Sequence, residues 1–242
     1  MSAANDDRLQ AGPVRESSLH LQKRVEERFP GAGISRVAGR VAEVCARAEK
    51  KAASLGSANW PLRLLMTLLI AVVVGTAGWA AWSIPLAHET RNDLASFVQF
   101  VEAGIGALVF CGAFVIFLAS LERRWKRGRA LRALHELRSL AHIVDMHQLT
   151  KDPEKLLFKG PDTPSSPKQD MSAFQFSRYF DYCTEMLAFL SKVAALYVEH
   201  LDDGEVLAAV DQIETLTNGL ARKIWQKMML LESLESGRTP RL

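Results

Sequence analysis

Between Arg63 and Glu89 the chain carries no Asp, Glu, Lys or Arg. The run from Leu64 to Ala87 reads LLMTLLIAVVVGTAGWAAWSIPLA. A second run, AGIGALVFCGAFVIFLASL, fills Ala103 to Leu121, and Val98 to Val101 can extend it. Crossing a hydrocarbon core of about 30 Å takes about 20 helical residues. In lipid, backbone groups must be satisfied within the segment itself, so each run is expected to be a helix. The runs predict two membrane spans, over residues 63–84 and 98–121. Two buried core helices are the competing reading. The flanks favour spans, because Trp60, Trp79, Trp82 and Trp125 fall near the predicted boundaries, where aromatic residues gather. Glu102 belongs near the edge, since a charge at mid-bilayer costs about 2.5–3.5 kcal/mol.

Basic residues near the span ends set an orientation. Lys50, Lys51 and Arg63 precede the first span, and Arg123, Arg124, Lys126, Arg127, Arg129 and Arg132 follow the second. The connecting loop, residues 83–97, has only Arg91 against Glu89 and Asp93. The positive-inside rule then puts both termini in the cytoplasm, and the membrane expected is the plasma (inner) membrane. The first residues hold Asp6, Asp7, Glu16, Glu26 and Glu27 with no apolar core, so no cleavable signal is expected and the first span serves as anchor. With three cysteines, none placed for an extracellular pairing, a disulfide scaffold is excluded. The spans carry small residues at helical spacing: Ala71 and Gly75, Ala77 and Ala81, then Ala103, Ala107 and Cys111. Such faces let helices approach closely in lipid, within the hairpin or between copies.

Outside the spans the apolar residues fall in helical stripes, and no strand pattern appears. Residues 1–32 are polar and partly flexible, with a short helix over 16–28 ended by Pro30-Gly31. Residues 33–58 form an amphipathic helix striped by Ile34, Val37, Val41, Val44, Ala48 and Ala52. That stripe suits either a membrane surface or docking on another helix. Residues 122–149 extend the second span, with Leu134, Leu137, Ala141 and Val144 on one face, and a Pro-rich loop covers 150–171. Residues 172–235 predict an antiparallel helical hairpin with coiled-coil-like spacing, its stripes being Phe176, Tyr179, Cys183, Met186, Leu190, Val193 and Tyr197, then Val206, Val210, Ile213, Thr217, Leu220 and Ile224. Asp203 is the N-cap acid of the second helix, and 236–242 form a flexible tail. The expected fold is all-α: a two-span transmembrane hairpin with a cytoplasmic antiparallel helical bundle.

Motifs of known chemistry are missing. There is no phosphate loop, no dinucleotide fingerprint, no nucleophile elbow and no zinc spacing. The one constellation with ligand-type residues is a stripe of His135, Arg138, His142 and Asp145, in which His135, His142 and Asp145 are weak metal candidates. His147 and Glu136 point elsewhere, so a metal site needs a ligand from another helix. A polar boundary stripe is the simpler reading, and no cofactor or catalytic residue is assigned. The basic run after the second span sets topology and sits beside lipid. With only Trp125 interleaved, it gives no case for nucleic acid.

In layout, though not in motifs, the chain is similar to small membrane-anchored adaptors and to two-span membrane effectors of bacterial defence. The function expected is a non-enzymatic, membrane-anchored helical interaction or scaffold module. It would contact membrane lipid and either self-associate or hold a cytoplasmic protein partner. The alternatives are an oligomeric membrane-perturbing or channel-forming effector and, behind it, a metal- or proton-dependent enzyme.

Overall fold

Six helices run in chain order in the computed structural model: α1 Ala11–Arg28, α2 Gly33–Gly56, α3 Trp60–Leu86, α4 Leu94–Leu149, α5 Ala173–Val198 and α6 Gly204–Glu235. The structure describes residues 9–56, 60–86, 94–151, 153, 163–165, 171–199 and 201–235, and among these there is no strand. Most of the Pro-rich loop and all of the tail lie outside the described residues, as does the middle of the loop between the apolar runs. The chain divides into two units. One comprises Met1–Gly56 with Arg129–Leu242, the other Ser57–Gly128. Helix α4 is continuous and contributes residues to both.

The first unit, here the packed unit, is organised around α5. A helix that covers one neighbour buries one stripe, whereas α5 buries residues around most of its circumference. Beyond the expected stripe, Phe180, Tyr182, Leu187, Ala194 and Leu196 are also buried. The reason is the number of its neighbours: α5 packs against α1, α2 and α6, and Tyr179 Oη donates to the His147 carbonyl of α4 at 3.0 Å. A short connection returns α6 antiparallel to α5, so that Lys227, late in α6, sits 5.8 Å from the ring of Phe180, early in α5. All the expected stripe residues of α6 are buried. Burying each large apolar side chain of this core contributes about 1.5–3 kcal/mol.

The N-terminal helices join the same core. Every stripe residue of α2 is buried, from Ile34 to Ala52. The stripe is therefore docked on helices, and the membrane-surface alternative for it is set aside. Small Val and Ala side chains allow that close docking. Helix α1 begins at Ala11, ahead of the residue 16 expected from sequence. Pro13 falls in the first turn, where its missing N–H costs nothing. Val14, Ser18, Leu21 and Val25 then give α1 one buried face. The turn into α2 needs Gly31, whose φ is +71°, a conformation that costs residues with a Cβ about 1–2 kcal/mol. Phe29 closes the turn by setting its ring edge-on to Tyr179 and Tyr182.

Helix starts follow their capping chemistry. Ser172 caps α5 reciprocally, its Oγ accepting from Gln175 N at 3.3 Å and its N donating to Gln175 Oε1 at 2.8 Å. Asp203 Oδ1 accepts from Glu205 N and Val206 N at 3.1 and 3.3 Å. Asp203 is the cap expected from sequence, and the Ser172 cap is added by the structure.

The second unit, here the apolar unit, contains α3 and α4 up to Gly128. From Gly104 onward α4 is long and apolar enough to cross a membrane. Of its most apolar 18 residues only 6% are buried, unlike the core helix of a soluble protein. Glu102 falls just before that stretch, about two turns into the helix. The apolar stretch of α3 described residue by residue, Arg63–Thr76, is shorter than a span requires, although the helix itself continues to Leu86.

Candidate functional site

The residues that flank the apolar unit meet in the packed unit. Near the end of α2, Lys51 and Ser54 face Arg129, Arg132, Ala133 and Glu136 of α4. With Tyr197 of α5 they line a cavity of about 270 Å³. Pockets for drug-sized ligands begin at about 300 Å³, so this one suits a small polar group. Arg129 Nη2 donates to Ser54 Oγ at 3.4 Å, and Ser54 Oγ donates to the Lys51 carbonyl at 2.7 Å. Lys51 Nζ donates to Glu136 Oε2 at 3.1 Å, while Arg47 Nη2 donates to Glu136 Oε1 at 3.0 Å. One carboxylate thus ties two cations of α2 to α4.

The electrostatics follow from that geometry. Burial opposes ionisation of Glu136, but the Lys51 bond and charge, with those of Arg47, outweigh it and hold the carboxyl below its ordinary value. Burial pushes the Tyr197 hydroxyl up to about 12, helped by the Glu136 charge. Of the charged residues that line the cavity, Lys51, Arg129 and Arg132 carry bases and Glu136 carries an acid. Ser54 is bonded to its own helix and to Arg129, an arrangement that orients Arg129 rather than activating a nucleophile.

The basic residues expected beside the second span divide between the units. Arg123 and Arg124 are exposed and Lys126 and Arg127 half-buried in the apolar unit, while Arg129 and Arg132 line the cavity. In the sequence Lys51 reads as a topology charge, and Glu136 faces away from the histidine stripe. Ser54 carries no local signal, and Tyr197 falls in the apolar stripe of α5. The signal that could have found the cavity was the presence of bases on both sides of the apolar insert.

The histidine stripe lies apart. His135, Arg138 and His142 are exposed, and half-buried Asp145 accepts from Gln148 Nε2 at 2.6 Å. No three His, Cys, Asp or Glu side chains converge among the described residues. His147 packs instead against the start of α2, where a Cβ placed on Gly33 would lie 2.5 Å from its Cε1. Burial first, and then the Arg36 charge, lower its pKa. Cys45 and Cys183 are buried and unpaired. Burial raises their thiols to about 11 and about 12, far from the thiolate that reacts.

Among the small residues of the apolar runs, Ala71, Gly75 and Ala107 are exposed and Cys111 is half-buried. The side chains of Ala77, Ala81 and Ala103 lie outside the described ones. A Cβ built at Gly75, Gly78, Gly104, Gly106 or Gly112 meets nothing within 4 Å.

No family model, no curated protein and no solved structure matches this chain.

Proposed function

We propose that the protein is an integral membrane protein in which α3 and the apolar part of α4 form a two-span hairpin. The hairpin anchors a non-enzymatic helical interaction bundle, which self-associates or holds a protein partner on the cytoplasmic side of the plasma (inner) membrane. The observation that carries this reading is the Arg129–Ser54 contact. Both ends of the insert are fixed side by side in one packed unit, so a chain that leaves the unit at Gly56 must return at Arg129. An apolar insert with that constraint crosses a bilayer an even number of times. Its two helices supply two crossings, since the 27 residues of α3 rise about 40 Å against a core of about 30 Å.

Exposure adds the driving force. Leu68, Val74, Leu108, Phe110 and Ile116 all stand open on the apolar unit, and each would gain about 1.5–3 kcal/mol from an apolar surrounding. The bases flanking the insert favour a cytoplasmic bundle. The test is topology in native membranes. Reporters at both termini should read cytoplasmic, a reporter at Arg91 should read the far side, and the protein should resist carbonate extraction. Termini on opposite sides, or extraction by carbonate, would sink the proposal.

A second reading is favoured by the open faces at the span glycines. In it, several hairpins assemble into a channel-forming or membrane-perturbing effector. It requires dye leakage from liposomes by the wild-type protein, lost in Gly75→Leu and Ala107→Leu. Well-inserted protein that causes no leakage removes it.

A further inference from the structure

We infer that an outer row of α6 pairs with the same row of a second copy of this chain, antiparallel, about a two-fold axis at Asn218. This names the surface and the partner for the self-association in the function proposed above, and it rests on that reading.

Helix α6 packs on α5 through its stripe from Val206 to Ile224. A second row lies about 120° around the helix, outside that buried face. Its apolar members Leu207, Trp225 and Met229 are 56%, 59% and 49% exposed. Asp211, Asn218 and Arg222 are exposed in the same row, and Glu214 is half-buried there. Among the described residues no hydrogen bond or ion pair occupies the side chains of Asp211, Glu214 or Arg222.

The row has the same spacing in both directions from its centre. Asn218 is four residues from Glu214 and from Arg222, seven from Asp211 and from Trp225, and eleven from Leu207 and from Met229. All of these fall within about 80° on the helix. An isologous pair brings residue i of one copy to residue j of the other, and j to i. Laid antiparallel about Asn218, Glu214 of each copy meets Arg222 of the other, a carboxylate against a guanidinium fork. Asp211 meets Trp225, whose indole N–H is a donor for the carboxylate. Leu207 meets the adaptable side chain of Met229 at either end. On the axis the Asn218 amide both donates and accepts, so two copies satisfy each other. A parallel pair would instead set Glu214 against Glu214 and Arg222 against Arg222, so charge fixes the direction. The contact runs about 33 Å. One helix pair of that length lies at the small end of protein interfaces, so a dissociation constant of about 10 μM is expected.

The test is sedimentation of the full chain in density-matched neutral detergent, over protein concentrations of about 1 to 100 μM. A monomer–dimer equilibrium is expected. Glu214→Arg and Arg222→Glu each set like charges across the contact twice, and each should weaken the dimer about tenfold. The two together restore opposite charges and should return the dimer to within about threefold of wild type. Gln212→Arg adds a charge at an exposed position off the row and should leave the dimer within about threefold of wild type. Cysteines report the direction, in a chain carrying Cys111→Ala. Asn218→Cys should cross-link to itself on mild oxidation, whereas Leu207→Cys should cross-link only when mixed with Met229→Cys. A dimer that ignores the charge variants overturns the inference, as does Leu207→Cys that cross-links to itself as well as Asn218→Cys does. Wild-type protein that stays monomeric overturns it too. Carbonate extraction of the same proteins separates the two readings. Membrane-held protein that fails these assays fails only this inference and leaves the bundle to a different partner, whereas protein that carbonate extracts fails the anchor.

Discussion

Phe110 and Phe180 are the same residue on two helices, and they differ completely in surroundings. Phe110 of α4 is 79% exposed, and Phe180 of α5 is 0% exposed. Composition cannot separate them, because both lie in apolar helical sequence. What separates them is the spacing of polar residues. Around Phe180 charged residues interrupt the apolar ones often enough to mark faces, so the helix can tell inside from outside. Around Phe110 nothing interrupts them, so every face asks for an apolar neighbour and the chain itself covers few of them. The comparison teaches that the packed unit covers its own apolar residues, while the apolar unit leaves most of its own open, which is what the proposed anchor calls for.

The sharpest way to break this comparison is to delete both rings. Phe180→Ala should cost about 3–5 kcal/mol, as ring truncation in a close-packed core does. Phe110→Ala should leave the denaturant midpoint of the packed unit unchanged in neutral detergent. Unfolding curves followed by near-ultraviolet circular dichroism check both. A large loss from Phe110→Ala would mean that the apolar unit is part of the same core.

A smaller effect is expected where α6 meets the end of α4. Lys227 Nζ donates to the Gln148 carbonyl at 3.0 Å, to Gln148 Oε1 at 2.8 Å and to the Lys151 carbonyl at 3.1 Å. It adds a second donor to the Gln148 carbonyl, which also accepts from Lys151 N at 3.1 Å, and it bonds the Lys151 carbonyl just past the end of α4. Lys227→Met keeps the stem and removes the donors, and should cost about 2 kcal/mol. The same denaturant measurement decides it. An unchanged midpoint would show that water replaces the ammonium without loss.

Gly31→Ala comes next. It keeps every packing contact but forces a Cβ into the left-handed region, and should cost about 1 kcal/mol. The expected change is a lower midpoint with an unchanged denaturant slope.

The parts of this architecture that the sequence could reveal are those set by local spacing. The stripes at Ile34, Val37, Val41, Val44, Ala48 and Ala52 and at Val206, Val210, Ile213, Thr217, Leu220 and Ile224 are all buried, and the cap at Asp203 forms as its chemistry dictates. Periodicity says which face is buried but not against what. The stripe of α2 could equally have faced lipid, and only the packed unit shows α2 docked on α1 and α5. The extra burial of Phe180, Tyr182 and Leu187 was hidden for the same reason, since a helix with several neighbours has no single stripe. Glu136 was the hardest residue to place. Its partner Lys51 is 85 positions away across the apolar insert, and no local pattern joins residues at that distance.

Glu136 also gives the smallest and most diagnostic prediction, because within the packed unit it ties the end of α2 to α4. Its folded pKa is lowered, since the Lys51 and Arg47 charges outweigh burial. A carboxyl lowered by folding stabilises the native state above its unfolded value, and that contribution is lost as pH falls through the folded value. His147 has the same sign, because burial and the Arg36 charge lower it from 6.5. Its unfolded form takes up a proton first, so its contribution begins to fade as pH drops below about 6.5. Stability should therefore decline in two stages on acidification, the first from His147 and the second, below the ordinary Glu value of 4.5, from Glu136. Both groups are partly exposed, so solvent screening limits Glu136 to about 1 kcal/mol or less. Glu136→Gln should flatten the second stage and leave the first, with denaturant midpoints from pH 7 down to pH 3.5 as the measurement. If the second stage persists in Glu136→Gln, carboxylates elsewhere in the packed unit set the acid limb. The ties from Arg47 and Lys51 to α4 would then contribute nothing to holding the ends of the insert together.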